Sequence, residues 1–252
     1  MEYSFYSSSL LPFLFRFFFF RLPLLRRRKE RNGHRDKNFF LLNNFCYNTK
    51  KGGAMACQWK NSSAEMISYH DKEWGVPTHE DQKLFEYLLL ESMQAGLSWA
   101  LILRKRETFR SSFAGFSPEK VAAFTEEDIT RIMHTENMIK SERKIRAMIQ
   151  NAKAFLALQK EEGSFDAYLW KFSGGKSLCY RGHEKGEMPA KNMLSEEISK
   201  DLKKRGFQYT GPVIVYSFLQ ACGIINDHEE DCPCYQALRK AYPYQEVEER
   251  IS

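Results

Sequence analysis

The chain of 252 residues is long enough for one domain with a sizeable core. Its 43% hydrophobic and 28% charged composition is that of an ordinary globular protein. The net charge of +6 suggests a nucleic-acid partner, yet residues 1–55 hold 11 of the 38 basic and only 3 of the 32 acidic side chains, which makes that segment +8 and the remainder −2.

In chain order, the apolar run from Leu10 to Leu25 is interrupted by Arg16 and Arg21 and followed by the basic run Arg26–Arg31. It is too short and too charged for a membrane span of about 20 apolar residues. Its charge also follows the apolar stretch instead of preceding it, unlike a secretory signal. We read residues 1–55 as a disordered, dispensable leader, with translation from Met55 as the simplest account and an organelle transit peptide as the other. Without a secretion signal, a reducing compartment is the default and the expected location is the cytoplasm, so the six cysteines do not form a disulfide framework.

From Met55 onward the pattern is helical, with no convincing alternating strand. Thr78 and Asp81 open a helix through Leu84, Phe85, Leu88 and Leu89. The loop Ala95-Gly96-Leu97-Ser98 hands over to a helix from Trp99 to about Phe113. Ser117-Pro118 reads as an N-cap with proline in the first turn, and Thr125 with Asp128 caps a helix reaching about Glu136. A long helix runs from Ser141 to Leu158. After a polar stretch over 173–192, Ser195 caps a helix closed by Gly206, and Gly211-Pro212 opens an apolar one through Ala221. The expected fold class is all-α, with a helical domain over 56–235 and a C-terminal tail over 236–252.

Three groups of residues carry candidate chemistry. Cys57 and His70 enclose 12 residues, and His228 and Cys232 enclose three. Two thiolates and two imidazoles suit tetrahedral zinc and leave no position for water, which points to a structural ion. On spacing alone the choice stays open, because Cys232-Pro233-Cys234 offers two neighbouring thiols. Cys222, in an apolar helical run, reads as core.

The second group is Trp59, Tyr69, Trp74, Trp99 and Glu91. Each aromatic taken singly is better explained by core packing. A glutamate on an apolar helix is harder to dismiss, since a buried carboxylate is unfavourable unless paired. Among π-faces it would suit a flat cation. Tyr87, Glu91 and Gln94 share its helical face.

The third is the turn Asn137–Ser141 between two helices. It would aim helix N-terminal N–H groups at a DNA phosphate, with Lys140, Arg143 and Lys144 adding salt-sensitive attraction. A plain helical hairpin with a solvated basic face fits the same residues.

Four stretches resemble the DNA-3-methyladenine glycosylase I family: Tyr69-His70-Asp71-Lys72-Glu73-Trp74-Gly75-Val76-Pro77, Gln94-Ala95-Gly96-Leu97-Ser98-Trp99, Leu202–Phe207, and the segment from Tyr216 to His228. The resemblance spans about Cys57 to Cys234. It implies a helix–hairpin–helix glycosylase fold whose domain termini are joined by a structural zinc on Cys57, His70, His228 and Cys232. It implies a base pocket of Trp59, Tyr69, Trp99 and Glu91, with Glu91 as the catalytic group. The implied reaction is monofunctional: a monomer releases 3-methyladenine from double-stranded DNA carrying alkylated bases and leaves an abasic site. Gly96 and Leu97 would wedge into the gap left by the flipped nucleotide, and Lys140, Ser141 and Lys144 would hold the backbone.

Two positions depart from the family pattern. Met66 replaces an aromatic four residues before His70, and Asn137 stands where the superfamily's hairpin is glycine-rich. The competing class is a non-catalytic protein that binds DNA lesions or nucleobases on the same fold.

Overall fold

The structure is a computed structural model and describes residues 56–248. The expectations for residues 1–55 lie outside the described residues. After a 3-10 turn at Gln58–Ser62, helix α1 spans Ala64–Lys72, α2 Asp81–Gln94, α3 Trp99–Arg104, α4 Arg106–Ser112, α5 Pro118–Ala122, α6 Glu126–His134, α7 Glu142–Glu162 and α8 Phe165–Trp170. Strand β1 (Ser177–Tyr180) follows. The chain then forms α9 (Met193–Lys204), α10 (Pro212–Ala221), α11 (Pro233–Ala241) and β2 (Tyr244–Val247). Among the described residues, no helix is long and apolar enough to cross a membrane.

The expected caps at the start of α5 and α6 form. Ser117 Oγ accepts from Lys120 N with Pro118 in the first turn, and Thr125 with Asp128 makes a capping box. Four features differ from the sequence reading. The helix expected from Trp99 to Phe113 is two, because the backbone at Lys105 leaves helical geometry (φ −96°, ψ 3°). The cap of α9 is Asn192, and Ser195 sits three residues inside as its reciprocal partner. The mostly helical fold also carries a parallel two-stranded ribbon, β1 on β2, in the register Ser177↔Tyr244. All four β1 residues are buried, so no alternation marks the strand, and its partner comes from the chain's far end. Residues 236–248, read as tail, continue α11 and supply β2.

Helix α2 is the centre of the core and packs on both α7 and α10. Every residue from Leu84 to Met93 is buried, so this helix has no solvent face in that stretch and takes Glu86 and Glu91 inside with it. Phe85 meets Phe155 of α7 edge-on at 5.2 Å, and Phe155 stacks on Phe165 at 4.2 Å. The segment after α1 crosses the end of α10: Gly75 N donates to Gln220 O and Thr78 N to Cys222 O. A Cβ at Gly223, where φ is +77°, would stand 2.4 Å from Pro77 N, so only glycine permits this approach. Met66 is buried in the same core, while Cys222 is fully enclosed and its thiol is pushed up to about 12 by burial.

Candidate functional site

Where the segment after α1 crosses the end of α10, residues far apart in the chain come together. Cys57, His70, His228 and Cys232 are each at most 1% exposed, and one ligand atom from each lies within 4.8 Å of the others. Cys232 Sγ is 3.6 Å from His70 Nε2 and 3.5 Å from His228 Nδ1, and Cys57 Sγ is 3.9 Å from His228 Nδ1. Cys234 is not in this set; it groups with His70 and Asp71.

Each imidazole is oriented by its outer nitrogen. His228 Nε2 donates to Trp74 O at 3.0 Å, and His70 Nδ1 donates to Asp71 Oδ1 at 2.7 Å. Both inner nitrogens, 3.1 Å apart, therefore present lone pairs to each other, which is repulsive unless a cation stands between them. The Cys232 thiol is held well below its ordinary value, foremost by its hydrogen bond with Cys57 and then by the two imidazoles, against the opposing effect of burial. Burial lowers His228. It acts the same way on His70, but there the Asp71 and Cys232 hydrogen bonds outweigh it. Two buried thiol groups and two inward lone pairs are a donor set that could hold a metal ion.

Next to this cluster lies the aromatic group. Trp59, on the 3-10 turn two residues past Cys57, meets Trp74 edge-on at 4.8 Å and His70 at 5.5 Å. Tyr69, the neighbour of His70 on α1, meets Trp99 edge-on at 5.3 Å. Tyr69 is raised well above its ordinary value by burial and then by the charge of Glu91, which places that carboxylate within electrostatic range. The buried indole N–H groups of Trp59 and Trp99 have no acceptor among the described residues.

Glu91 is 3% exposed, and burial alone pushes its carboxyl up to about 8. No described residue donates a hydrogen bond to it. Glu86, five residues earlier on the same helix, accepts from Arg106 Nε and Arg110 Nη2 at 2.8 Å each and from Lys83 Nζ at 3.1 Å. Burial raises Glu86 too, but these cations bring it below its ordinary value. One interior glutamate is fully paired and the other is left bare.

Sequence reasoning missed the network around Glu86. Arg106 also grips Glu73 with two parallel bonds of 2.7 Å, and Tyr87 OH donates to Glu73 at 3.0 Å. Burial would raise Glu73, yet the Arg106 hydrogen bonds and charge, with Lys83, hold it at about 2. The network fixes the end of α1 to α2 and α4 beside Tyr69. The signal available in the sequence was the polar pair Lys83 and Glu86 within an apolar helix.

The hairpin between α6 and α7 contains Asn137 at φ +61°, the left-handed region that glycine otherwise supplies. Ser141 is the N-cap of α7 without a side-chain capping bond, and Lys140 is exposed. Lys144 is engaged within the fold. Its Nζ donates to Met93 O at 2.7 Å and Ala95 O at 2.8 Å, closing the C-terminus of α2. It thus ties the hairpin helix to the Gly96–Leu97 loop. Gly96 is exposed at φ +78°, while Leu97 is half-buried against the core, its N–H bonded to Gln94 O and its carbonyl to Gln94 Nε2.

Residues 59–235 match the family model described as methyladenine glycosylase. Over 179 residues the chain is 43% identical to DNA-3-methyladenine glycosylase 1 of Escherichia coli (strain K12), covering 71% of this chain and 96% of that one. It is 42% identical over 178 residues to the DNA-3-methyladenine glycosylase of Haemophilus influenzae, with the same coverage of 71% and 96%. A solved structure of 3-methyladenine DNA glycosylase I from Staphylococcus aureus, described as showing 3-methyladenine recognition, superposes with a TM-score of 0.68 at 38% identity. It covers 72% of this chain and 97% of its own. With a matching model over most of its length and relatives above 40% identity, the chain belongs to the methyladenine glycosylase family.

Proposed function

We propose that the protein is a monofunctional DNA glycosylase that removes 3-methyladenine from alkylated double-stranded DNA, with a structural zinc on Cys57, His70, His228 and Cys232. The observation that carries the reaction is Glu91, a carboxyl buried without a donor beside Tyr69 and, through it, Trp99. The names of the E. coli and H. influenzae relatives and the recognition described for the S. aureus protein support the choice of base.

Ionising Glu91 in this setting is unfavourable, as its elevated value records. A base methylated at N3 is cationic within DNA, and its charge offsets that penalty; neutral adenine brings no such compensation. Damaged bases also leave the helical stack at lower energy. With the base held between aromatic faces and Glu91 accepting from its edge, the C1′–N bond electrons pass to the base, which departs neutral. Water then adds to the oxocarbenium-like sugar and loses a proton. The departed base no longer compensates Glu91, which favours its release. No water-activating carboxylate is assigned. The indole N–H groups of Trp59 and Trp99 are available to acceptors on the bound base.

Zinc fits the four-ligand cluster by shape and chemistry. Bonds of about 2.05 Å to nitrogen and about 2.3 Å to sulfur give tetrahedral edges of about 3.3 Å for N···N and about 3.6 Å for S···N. The observed separations are 3.1 Å and 3.5–3.9 Å. Four protein ligands leave no position for an activated water, so the ion would secure the fold.

Alkylated duplex DNA incubated with the full chain, with the released bases separated chromatographically, tests the reaction. Free 3-methyladenine should appear, and Glu91→Ala should reduce its rate by at least about 100-fold. Lesion binding without release would replace this reading with a non-catalytic one.

A further inference from the structure

Apart from the aromatic group, the molecule has an open cavity of about 380 Å³ lined by Leu101, Arg104, Lys105, Thr108 and Asn137. Three elements form it: the end of α3, the first turn of α4 and the hairpin turn before α7. We propose that this cavity is a phosphate subsite for the DNA backbone beside the flipped nucleotide, with Arg104 and Thr108 as its donors and Lys105 as its hinge to the hairpin. The inference rests on the reading that the aromatic pocket takes a base out of DNA.

The chemistry of the lining favours an anion. Arg104 is exposed at the mouth, and among the described residues neither its guanidinium nor the Thr108 hydroxyl has a hydrogen-bond partner. Glu65 on α1 feels the Arg104 charge but does not pair with it. Lys105 Nζ is already committed on one side, donating to Asn137 O at 2.6 Å. An arginine fork with a hydroxyl and an ammonium beside it can share the two free oxygens of a phosphodiester. Leu101 supplies an apolar floor that reduces competition from water.

Position favours DNA over a free anion. Helix α3 starts at Trp99, which contacts Tyr69 in the aromatic group, and reaches Arg104 five residues on, a rise of about 7.5 Å. The cavity's opposite wall is Asn137, in the hairpin that precedes the N-terminus of α7. A strand whose base occupies the pocket would carry its neighbouring phosphate past Arg104. The Lys105–Asn137 bond keeps the two walls in register.

The test is equilibrium binding of the full chain to a duplex with one tetrahydrofuran abasic analogue, measured across a salt series. Arg104→Gln should weaken binding roughly three- to tenfold and lower the slope of log K against log salt by about 0.9; Thr108→Ala should weaken it without changing the slope. Lys200→Gln, an exposed lysine on α9 outside the cavity, controls for net charge and should leave both quantities unchanged. Quenching of tryptophan fluorescence by free 3-methyladenine should be the same for wild type and Arg104→Gln, showing an intact pocket. An unchanged slope for Arg104→Gln, or an equal loss for Lys200→Gln, would overturn the subsite. If the wild type releases no base while the slopes differ as expected, the subsite stands and the glycosylase reading fails.

Discussion

Glu91 is the residue whose environment most sharply separates function from stability. Its carboxyl titrates at about 8 in the folded protein against an ordinary 4.5, so the folded chain holds this proton more tightly than the unfolded one. The contribution of Glu91 to stability is therefore complete below pH 4.5, declines as pH rises to about 8, and is level above that. Each pH unit in this window is worth at most about 1.4 kcal/mol. Glu91→Gln has no proton to lose, so it should gain on the wild type from pH 5 to about pH 8 and hold that gain above it in urea denaturation, while losing base release. Parallel pH dependences for the two proteins would mean that water or another donor solvates the carboxylate. The sequence already marked Glu91 as anomalous on an apolar helix, and that anomaly was legible because it is local.

At the scale of elements, what could be read from sequence was whatever depends on near neighbours. The capping box Thr125–Asp128, the proline-led α5 and α10, and the left-handed Asn137 all follow from residues within a few positions. The features that escaped are joined across the chain. Strand β1 pairs with β2 sixty-odd residues on, without alternation to announce it. The bonds of Lys144 to carbonyls about 50 positions away have no mark among its sequence neighbours. The Arg106 network has the same character, linking α4 to α2 and to the end of α1 over 20 and 33 positions. This network holds one buried carboxylate, Glu86, and one half-buried, Glu73, and removing its centre leaves them to Lys83, Arg110 and Tyr87. Arg106→Met, which removes three of these charge-assisted bonds, should destabilise by about 1–3 kcal/mol in chemical denaturation. Arg110→Met, whose side chain is more exposed and meets only Glu86 within the network, should have a much smaller effect. Equal effects would show that solvent, not Arg106, carries Glu73.

For the whole molecule the decisive feature is that Cys57 and His228, 171 positions apart, meet in one buried cluster. A cross-link of that span would restrict nearly the entire domain, and the proposed zinc, bound only by the folded chain, would add its binding free energy to folding. At a thousandfold excess of free ion over Kd this is about 4 kcal/mol, or roughly 8–16 °C in Tm for a domain of this size. Chelation at neutral pH should therefore release one zinc per chain and lower Tm by that order. Acid should do the same, because protons compete for the thiolates and imidazoles. Cys57→Ser should start from the lower Tm and show little further response to chelator, whereas Cys222→Ala, a buried thiol outside the cluster, should keep the chelator response intact. A metal-free protein with the wild-type Tm would reduce the cluster to a packed polar core. The effect should also extend beyond stability. Trp59 follows Cys57 by two residues and packs on His70 and Trp74, so loosening this segment would release an aromatic of the proposed base pocket. Chelation below the melting range should then weaken the quenching of tryptophan fluorescence by 3-methyladenine before any helix is lost. Unchanged quenching would confine the ion's role to holding the chain ends together.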